Sequence, residues 1–205
     1  MSAASHLRPD LAAIAEMIPE GARVLDVGCG DGALLEYLVR TKNVDGRGIE
    51  LSQQNVNACV ARGLAVVQGD ADTDLAEYPA QVFDFVILSQ TIQATEKPAQ
   101  VLQDLLRIGR HVAISLPNFG HWRVRLSLLL MGRMPRTRAL GYSWYDTPNI
   151  HLCTLSDFVD LARENGAVID RALALKNDGV AGDVRPDSWG PNIAAQGAIF
   201  LLRKN

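Results

Sequence analysis

The chain has 205 residues, which suits a single domain of ordinary size with a sizeable hydrophobic core. Its net charge of −3 gives no basic footprint for nucleic-acid binding, and its longest apolar stretch, near residues 126–131, is far too short to span a membrane. Cys29, Cys59 and Cys153 are odd in number and widely spaced, so no disulfide framework or metal site is expected. Together with an N-terminus that lacks a signal-peptide pattern, they favour a cytoplasmic location.

Strand and helix signals alternate along the first half of the chain. Pro9 suits the first turn of a helix whose apolar face includes Ile14 and Ile18, and the turn at 19–21 ends it. Five strands are predicted at residues 23–27, 46–50, 64–68, 83–89 and 111–116, and helices at 33–40, from Ser52 to before Gly63, and at 98–108. This alternation predicts an α/β fold with a mostly parallel sheet and helices on both faces.

The alternation breaks at Pro117 and returns near the C-terminus. Residues 118–153 are irregular apart from an apolar helical run at 124–131. Ser156 suits the N-cap of a helix over 157–164, and strands are predicted at 167–175 and 194–202, on either side of a loop at 177–192. We therefore expect one domain over residues 1–205, with seven strands, an antiparallel C-terminal strand and an insertion at about 118–153.

A glycine-dense turn, VLDVGCGDG, joins the first strand to the next helix. Glycines allow positive φ and leave no Cβ between the turn and a ligand. Asp26 and Asp31 make this turn acidic, whereas a diphosphate cofactor prefers bare amides at a helix N-terminus. The carboxylates instead suit a cofactor with positive charge, such as S-adenosylmethionine with its sulfonium and ammonium groups.

Acidic residues also end the next two strands. Glu50 closes the second strand, about twenty residues after the glycine turn, where a carboxylate suits two ribose hydroxyls. Asp70 follows the third strand and suits the exocyclic amine of adenine, with Leu51 and Ala71 beside the ring. Because ligands bind outside the carboxyl ends of strands in open α/β sheets, the three acids predict one cofactor site.

Four segments resemble motifs of the class I S-adenosylmethionine-dependent methyltransferases: VLDVGCGDG, GIELS, QGDAD and FDFVILSQTIQAT. The resemblance covers about residues 20–175. It implies a Rossmann-like fold and S-adenosylmethionine or S-adenosylhomocysteine as the bound cofactor. The cofactor-binding residues that it implies are Asp26, Gly28, Cys29, Gly30, Glu50, Leu51, Asp70, Ala71, Ser89 and Gln90.

Longer phrases resemble the methionine biosynthesis protein MetW family. They are VILSQTIQAT, ISLPNFGHWRVRLSLLLMGRMP and WYDTPNIHLCTLSDF. This resemblance implies a role in methionine synthesis beside homoserine O-acyltransferase, as a protein partner of that enzyme. It implies no methyl acceptor, so whether the chain is an enzyme stays open.

A catalytic base is not evident. The segment after the fourth strand, SQTIQAT, contains no titratable group before Glu96, which argues against base-assisted O-methylation. His121 and His151 are weak catalytic candidates, because either side chain also suits a loop-ordering role. Tyr142, with the aromatic residues at 144 and 145, suits either a pocket wall or a small satellite core.

The insertion is rich in arginine and poor in acidic residues. Its arginines have no acidic residue among them before Asp146, and Trp122 and the apolar run at 126–131 lie beside them. Partner docking, an active-site lid, a structural role and a membrane-surface helix are the alternatives, and arginine with aromatic and apolar residues favours docking. The sequence favours two functions, a regulatory subunit and a methyltransferase of a small metabolite, whereas its net charge disfavours a nucleic-acid methyltransferase. The arginines are Arg123, Arg125, Arg133, Arg136 and Arg138.

Overall fold

The computed structural model describes residues 7–137, 140–176 and 179–205, which form one sheet with helices on both faces. Two short 3₁₀ helices span Asp74–Glu77 and Ile92–Ala94. The elements are α1 Pro9–Met17, β1 Arg23–Val27, α2 Ala33–Lys42, β2 Asp45–Glu50, α3 Gln53–Ala61, β3 Ala65–Gln68, β4 Phe83–Ser89, α4 Pro98–Ile108, β5 Gly109–Pro117, α5 Trp122–Met131, α6 Leu155–Glu164, β6 Ala167–Lys176, β7 Gly179–Asp183, α7 Trp189–Ala194 and β8 Gly197–Lys204.

The sheet has the strand order β3-β2-β1-β4-β5-β8-β6-β7. All pairs from β3 through β5 are parallel. β8 lies between β5 and β6 and is antiparallel to both, which confirms the expected antiparallel C-terminal strand. The direction of winding reverses between β1 and β4, and this switch point is where open α/β sheets bind their ligands.

Alternate side chains of the central strands pack into two separate layers. Val24 packs with α1 and α2 on one face, whereas Leu25 and Val27 pack with α4 and α6 on the other. β4 is buried on both faces, as its near-continuous apolar sequence predicts. The Rossmann-like α/β fold, with helices on both faces, is confirmed.

Helix α6 begins two residues earlier than predicted. Its N-cap is Thr154, whose Oγ1 accepts a hydrogen bond from the Asp157 N–H at 3.3 Å. Asp157 Oδ2 in turn accepts the Thr154 N–H at 2.8 Å, which completes a capping box. The assignment of Ser156 as the N-cap was therefore wrong, because this reciprocal pair fixes the helix start and leaves Ser156 inside the first turn.

The predicted loop at 177–192 contains regular structure that the sequence pattern did not indicate. Its first described residues form β7, an eighth strand that pairs antiparallel with β6 at the sheet edge. Helix α7 follows, so the last strand begins at Gly197 rather than at residue 194. The expectation of seven strands was one strand short, because β7 is glycine-rich and lacks apolar alternation. Asn177 and Asp178 lie outside the described residues.

Helix α5 contributes little to the hydrophobic core. Val124 is its one buried residue among Trp122–Met131, and Gly132 ends it in the left-handed conformation. Its helical run begins two residues before the predicted one because His121 caps it. Arg138 lies outside the described residues. None of the helices in the described part of the chain combines the length and apolar character that a membrane crossing requires.

Candidate functional site

At the switch point, the glycine turn after β1 presents backbone atoms rather than side chains. Gly28 and Gly30 have φ values of +68° and +57°. The N–H groups of Gly28 and Cys29 both donate to the Ile49 carbonyl, at 2.8 and 3.2 Å, which ties the turn to β2. A Cβ at Gly28 would lie 2.9 Å from Thr91 Oγ1, so only glycine fits between this turn and the segment after β4.

Two cavities meet at Gly28, which lines both of them. The β2-side cavity has a volume of about 360 Å³, and the α1-side cavity about 310 Å³. The β2-side cavity is lined by Gly28, Ile49, Glu50, Leu51, Gly69, Asp70, Ala71, Asp72, Thr91, Ala94, Thr95 and Glu96. The α1-side cavity is lined by Leu7, Arg8, Leu11, Asp26, Gly28, Cys29, Gly30, Asp31, Ala33, Leu34 and Ser89.

Glu50 lies where the glycine turn, β2 and α3 converge. Its Oε2 accepts the Gly30 N–H at 2.8 Å, and its Oε1 accepts the Ser52 N–H at 2.9 Å. The Asn55 side chain donates to Oε1 at 3.3 Å. These bonds fix a buried carboxylate at the wall of the β2-side cavity, and Oε2, which accepts one of them, keeps lone-pair capacity for a ligand hydroxyl.

Asp70 is positioned by its own turn. Its Oδ1 accepts the Asp72 N–H at 2.9 Å, and its backbone N–H donates to Asp74 Oδ2 at 2.8 Å. Asp72 in turn accepts the N–H groups of Glu96 and Lys97, both at 2.8 Å, which anchors this turn to the start of α4. The turn after β3 is thus braced in place with Asp70 facing the β2-side cavity.

Asp26 is the buried acid of the α1-side cavity. Burial raises its pKa to about 7, the positive charge of Arg8 opposes that rise, and the negative charge of Glu50 adds to it. A cationic ligand would restore the ionised form of Asp26 by the same Coulomb attraction. The cavity therefore favours a ligand with positive charge near Asp26 and Asp31.

Arg8 and its partner Asp10 are further residues at the α1-side cavity that the strand-end motifs do not indicate. Arg8 lines the α1-side cavity and forms an ion pair with Asp10 at 3.2 Å. Asp10 is buried and accepts hydrogen bonds from the hydroxyls of Ser89 and Ser115, at 3.0 and 2.9 Å. One sequence feature does indicate that Asp10 is buried, namely its place on the apolar stripe of α1. Asp10, Ala13 and Ile14 follow i, i+3, i+4 spacing, and all three are buried.

The remaining predicted cofactor residues, Ser89, Cys29 and Gln90, do not all line the same cavity. Ser89 lines the α1-side cavity and accepts a hydrogen bond from Arg8 at 2.7 Å. Cys29 lines the same cavity and also packs against the cluster of Cys59 and Leu64 behind the turn, where burial raises its pKa. Gln90 lines a third, neighbouring cavity and has an unusual φ of +51°.

The two histidine candidates lie apart from both cavities. Nδ1 of buried His121 accepts the Arg123 N–H at 3.3 Å as the N-cap of α5, and burial and then Arg123 lower its pKa. His151 is exposed, and its backbone N–H donates to the Gln93 carbonyl at 2.9 Å. The His121 side chain thus caps α5, whereas the contact of His151 is made by its backbone, and neither side chain lines either cavity. The aromatic side chains of Tyr142, Trp144 and Tyr145 are exposed.

The residues that line the α1-side and β2-side cavities fit S-adenosylmethionine or S-adenosylhomocysteine, the cofactor that the sequence motifs imply. The β2-side cavity has four acids in its lining, and two of them, Glu50 and Asp70, with the apolar side chains of Ile49, Leu51 and Ala71, suit an adenosine. The α1-side cavity offers Asp26 and Asp31 for cationic groups and Arg8 for a carboxylate. Within residues 7–137, 140–176 and 179–205, no cluster of three or more potential ligands could hold a metal ion.

Solved structures with similar folds are distant in sequence. An S-adenosylmethionine-dependent methyltransferase from Thermotoga maritima is 16% identical, with a TM-score of 0.70 over 96% of this chain and 88% of that one. The [4+2]-cyclase SpnF is 19% identical, with a TM-score of 0.66 over 95% of this chain and 80% of that one. These likenesses show a class I methyltransferase fold, and the second shows that the fold alone does not assign methyl transfer.

Sequence comparison is more specific. A family model described as "Methionine biosynthesis protein MetW" matches residues 8–202. A bifunctional methionine biosynthesis protein MetXA/MetW from Rhodopirellula baltica is 33% identical over 97% of this chain. The chain spans 33% of that longer protein. The chain therefore belongs to the MetW family of methionine biosynthesis proteins.

Proposed function

We propose that this chain binds S-adenosylmethionine or S-adenosylhomocysteine across the two cavities that meet at Gly28. The observation that carries this proposal is the charge pattern of the lining, with acids where the ligand is cationic and Arg8 where it is anionic. Glu50 would accept the ribose hydroxyls and Asp70 the adenine amine. Asp26 and Asp31 would face the ammonium and sulfonium groups, and Arg8 the carboxylate.

The bound cofactor, in this proposal, regulates homoserine O-acyltransferase. The Rhodopirellula baltica relative carries MetXA and MetW in one chain, and a fusion keeps two modules at high effective concentration. The segment after β4 supplies no titratable side chain to either cavity before Glu96, which favours a sensor over a methyl-transfer catalyst. The free thiols of Cys29, Cys59 and Cys153 suit the reducing cytoplasm where such an enzyme would work.

The insertion at 118–153 supplies a docking surface in this proposal. Leu129, Leu130 and Met131 are 80%, 72% and 66% exposed, which is unusual for adjacent apolar residues of a soluble fold. Arg123 and Arg133 lie exposed beside them, and the described part of the insertion has no acid before Asp146. We define the docking surface as the exposed side chains of Trp122, Arg123, Leu126, Leu128, Leu129, Leu130, Met131, Arg133 and Met134. It suits an apolar patch with an acidic rim on the acyltransferase.

Mixing the two purified proteins tests this function. We expect a complex by size-exclusion chromatography and a change in the rate of acyl transfer that depends on S-adenosylmethionine. Calorimetry of the chain alone would measure cofactor binding separately from partner binding. Lack of a complex, together with an unchanged acyl-transfer rate with and without cofactor, would contradict the regulatory proposal.

A second candidate function is methyl transfer to a small metabolite. The buried carboxylate of Asp10, 3.0 Å from Ser89 Oγ at the edge of the α1-side cavity, is the observation that favours it, because α1 supplies an acid that the β4 segment lacks. Formation of S-adenosylhomocysteine with cell-extract metabolites would support this alternative. Equal product from wild type and Asp26→Ala would count against it.

A further inference from the structure

A third cavity lies beside the α1-side cavity and is separate from the cofactor site proposed above. Its volume is about 200 Å³, and it opens where the carboxyl ends of β5 and β6 meet the start of β8. Leu116, Pro117 and Leu175 form its apolar wall, and Asp10 and Lys176 are among its charged residues. We call it the β5-side cavity.

Arg8 divides the β5-side cavity from the α1-side cavity, since it lines both. Its guanidinium contacts Asp10 at 3.2 Å and donates to Ser89 Oγ at 2.7 Å. Asp10 lines the β5-side cavity, and Ser89 lines the α1-side cavity. Arg8, Asp10 and Ser89 thus form one hydrogen-bonded group, and a ligand in either cavity would contact it.

Among the described residues that line the β5-side cavity, the charges leave an excess of one positive charge. Arg8 and Asp10 neutralise each other as an ion pair. Lys176 is exposed at the end of β6, and its ammonium has no ion-pair partner in the described part of the chain. An anionic group is the complement of that ammonium.

Asp10 still has hydrogen-bonding capacity on one oxygen. Its Oδ2 accepts from Ser89 and Ser115, whereas Oδ1 has a single described partner, Nε of Arg8 at 3.2 Å. An ionised carboxylate oxygen accepts about two hydrogen bonds, so Oδ1 remains available to a donor inside the cavity. The donor must be small, because Asp10 is buried.

We propose that the β5-side cavity binds a short hydroxy or amino acid. Its carboxylate would pair with Lys176, its carbon chain would lie against Leu116 and Leu175, and its hydroxyl or ammonium would donate to Asp10 Oδ1. A volume of about 200 Å³ holds about seven heavy atoms at the volume per molecule of liquid water, which fits a four-carbon acid. This proposal does not require the chain to bind a cofactor or a partner protein.

A matched series of four-carbon compounds tests the ligand chemistry. Chemical-shift titrations of the isotopically labelled full-length protein would compare butanoate, 4-hydroxybutanoate, 4-aminobutanoate and butylammonium at millimolar concentrations. We expect 4-hydroxybutanoate or 4-aminobutanoate to bind more tightly than butanoate, and butylammonium not to bind. The two acids carry their donor on the same carbon, so their comparison distinguishes a hydroxyl from an ammonium. Equal binding of butanoate and butylammonium, or no binding by any probe, would overturn the proposal.

Two lysine variants test the position. Lys176→Met should weaken binding of the preferred acid by about tenfold or more, because a charge-assisted hydrogen bond is lost. Lys176→Arg should retain most of the affinity. Lys204→Met is the matched control, since Lys204 is an exposed lysine at the far end of β8. If Lys176→Met and Lys204→Met bind alike, the site assignment is wrong.

A parallel titration with S-adenosylmethionine keeps the two proposals distinguishable. Lys176 lines the β5-side cavity but neither cofactor cavity, so Lys176→Met should bind S-adenosylmethionine like wild type. Failure of cofactor binding with intact acid binding would contradict only the cofactor proposal. The reverse result would contradict only the β5-side site.

Discussion

Burial of the Asp26 carboxyl lowers the free energy of unfolding at neutral pH. Its folded pKa is about 7, whereas an exposed aspartate titrates near 3.8. Between these two pH values the unfolded chain releases this proton while the folded chain keeps it. Stability therefore falls as pH rises through that range, and the loss is complete above about pH 7.

Asp26→Asn tests this linkage. The variant has no group to titrate at this position, so its free energy of unfolding should fall less between pH 5 and pH 8 than that of wild type. The difference should be on the order of a few kcal/mol. Chemical denaturation without cofactor at several pH values measures it, with exposed Asp146→Asn as the control. The same pH dependence in wild type and Asp26→Asn would show that Asp26 does not titrate in this range.

Glu50→Ala tests the ribose assignment. Loss of a charged, bidentate acceptor should weaken S-adenosylmethionine binding by about 1.5–3 kcal/mol. The variant should also lower stability, because the N–H groups of Gly30 and Ser52 lose their acceptor. Calorimetry and denaturation measure the two effects, with Glu20→Ala, an exposed acid in the turn after α1, as the control. Unchanged affinity in a folded Glu50→Ala protein would reject the assignment.

The candidate site was partly predictable from single residues. Asp26, Glu50 and Asp70 end strands that the local sequence already indicates, so their convergence followed from the parallel sheet. Arg8 and Asp10 could not be found in that way, because their contact with Ser89 joins residues about eighty positions apart. Only the position of Asp10 on an apolar helix stripe indicated its burial.

At the scale of elements, the capping box explains the error at the start of α6. Thr154→Ala should reduce stability by about 1 kcal/mol, because the Asp157 N–H loses its acceptor. Ser156→Ala should cause no comparable loss, since Ser156 does not cap the helix. Thermal or chemical denaturation of the two variants checks this difference. Equal destabilisation by both would contradict the capping role of Thr154.

Variants on helix α5 test the proposed partner binding. The double variant Leu129→Ser, Leu130→Ser should weaken or lose the acyltransferase complex, because it removes the hydrophobic free energy of burying two highly exposed apolar side chains. Its affinity for S-adenosylmethionine should equal that of wild type. Val60→Ser is the control, since Val60 is an exposed apolar residue on α3, outside the docking surface. Retention of the complex by the double variant would place the interface elsewhere.

Regular elements with strong apolar patterns were predictable, and weakly patterned ones were not. β1 and β4 were predicted with their observed bounds. β7 was missed because its sequence, GVAGD, offers neither alternation nor β-branched residues beyond one valine, and its pairing with β6 is a backbone interaction. Such an edge strand depends on the strand already present beside it.

At the scale of the whole molecule, the first half of the chain specified the fold class. Strand–helix alternation over residues 23–116 predicted the parallel half of the sheet, and the structure confirms it. The third cavity lay beyond sequence reasoning, because it is built from α1, the segment after β4, and the ends of β5, β6 and β8. Only the assembled sheet brings these positions together.

The place of β8 inside the sheet has a consequence for biogenesis. Residues 7–117 contain every strand of the parallel half, so this half can form while the ribosome is still adding residues. β6 leaves the exit tunnel next and can pair with β7, but it cannot join the sheet until β8, its neighbour toward the centre, has been synthesised. A nascent chain arrested before residue 197 should be protease-resistant in its first half and sensitive from 118 onward, because an isolated two-stranded hairpin is marginally stable. Uniform resistance of that arrested chain would show that the β6–β7 pair is stable without β8.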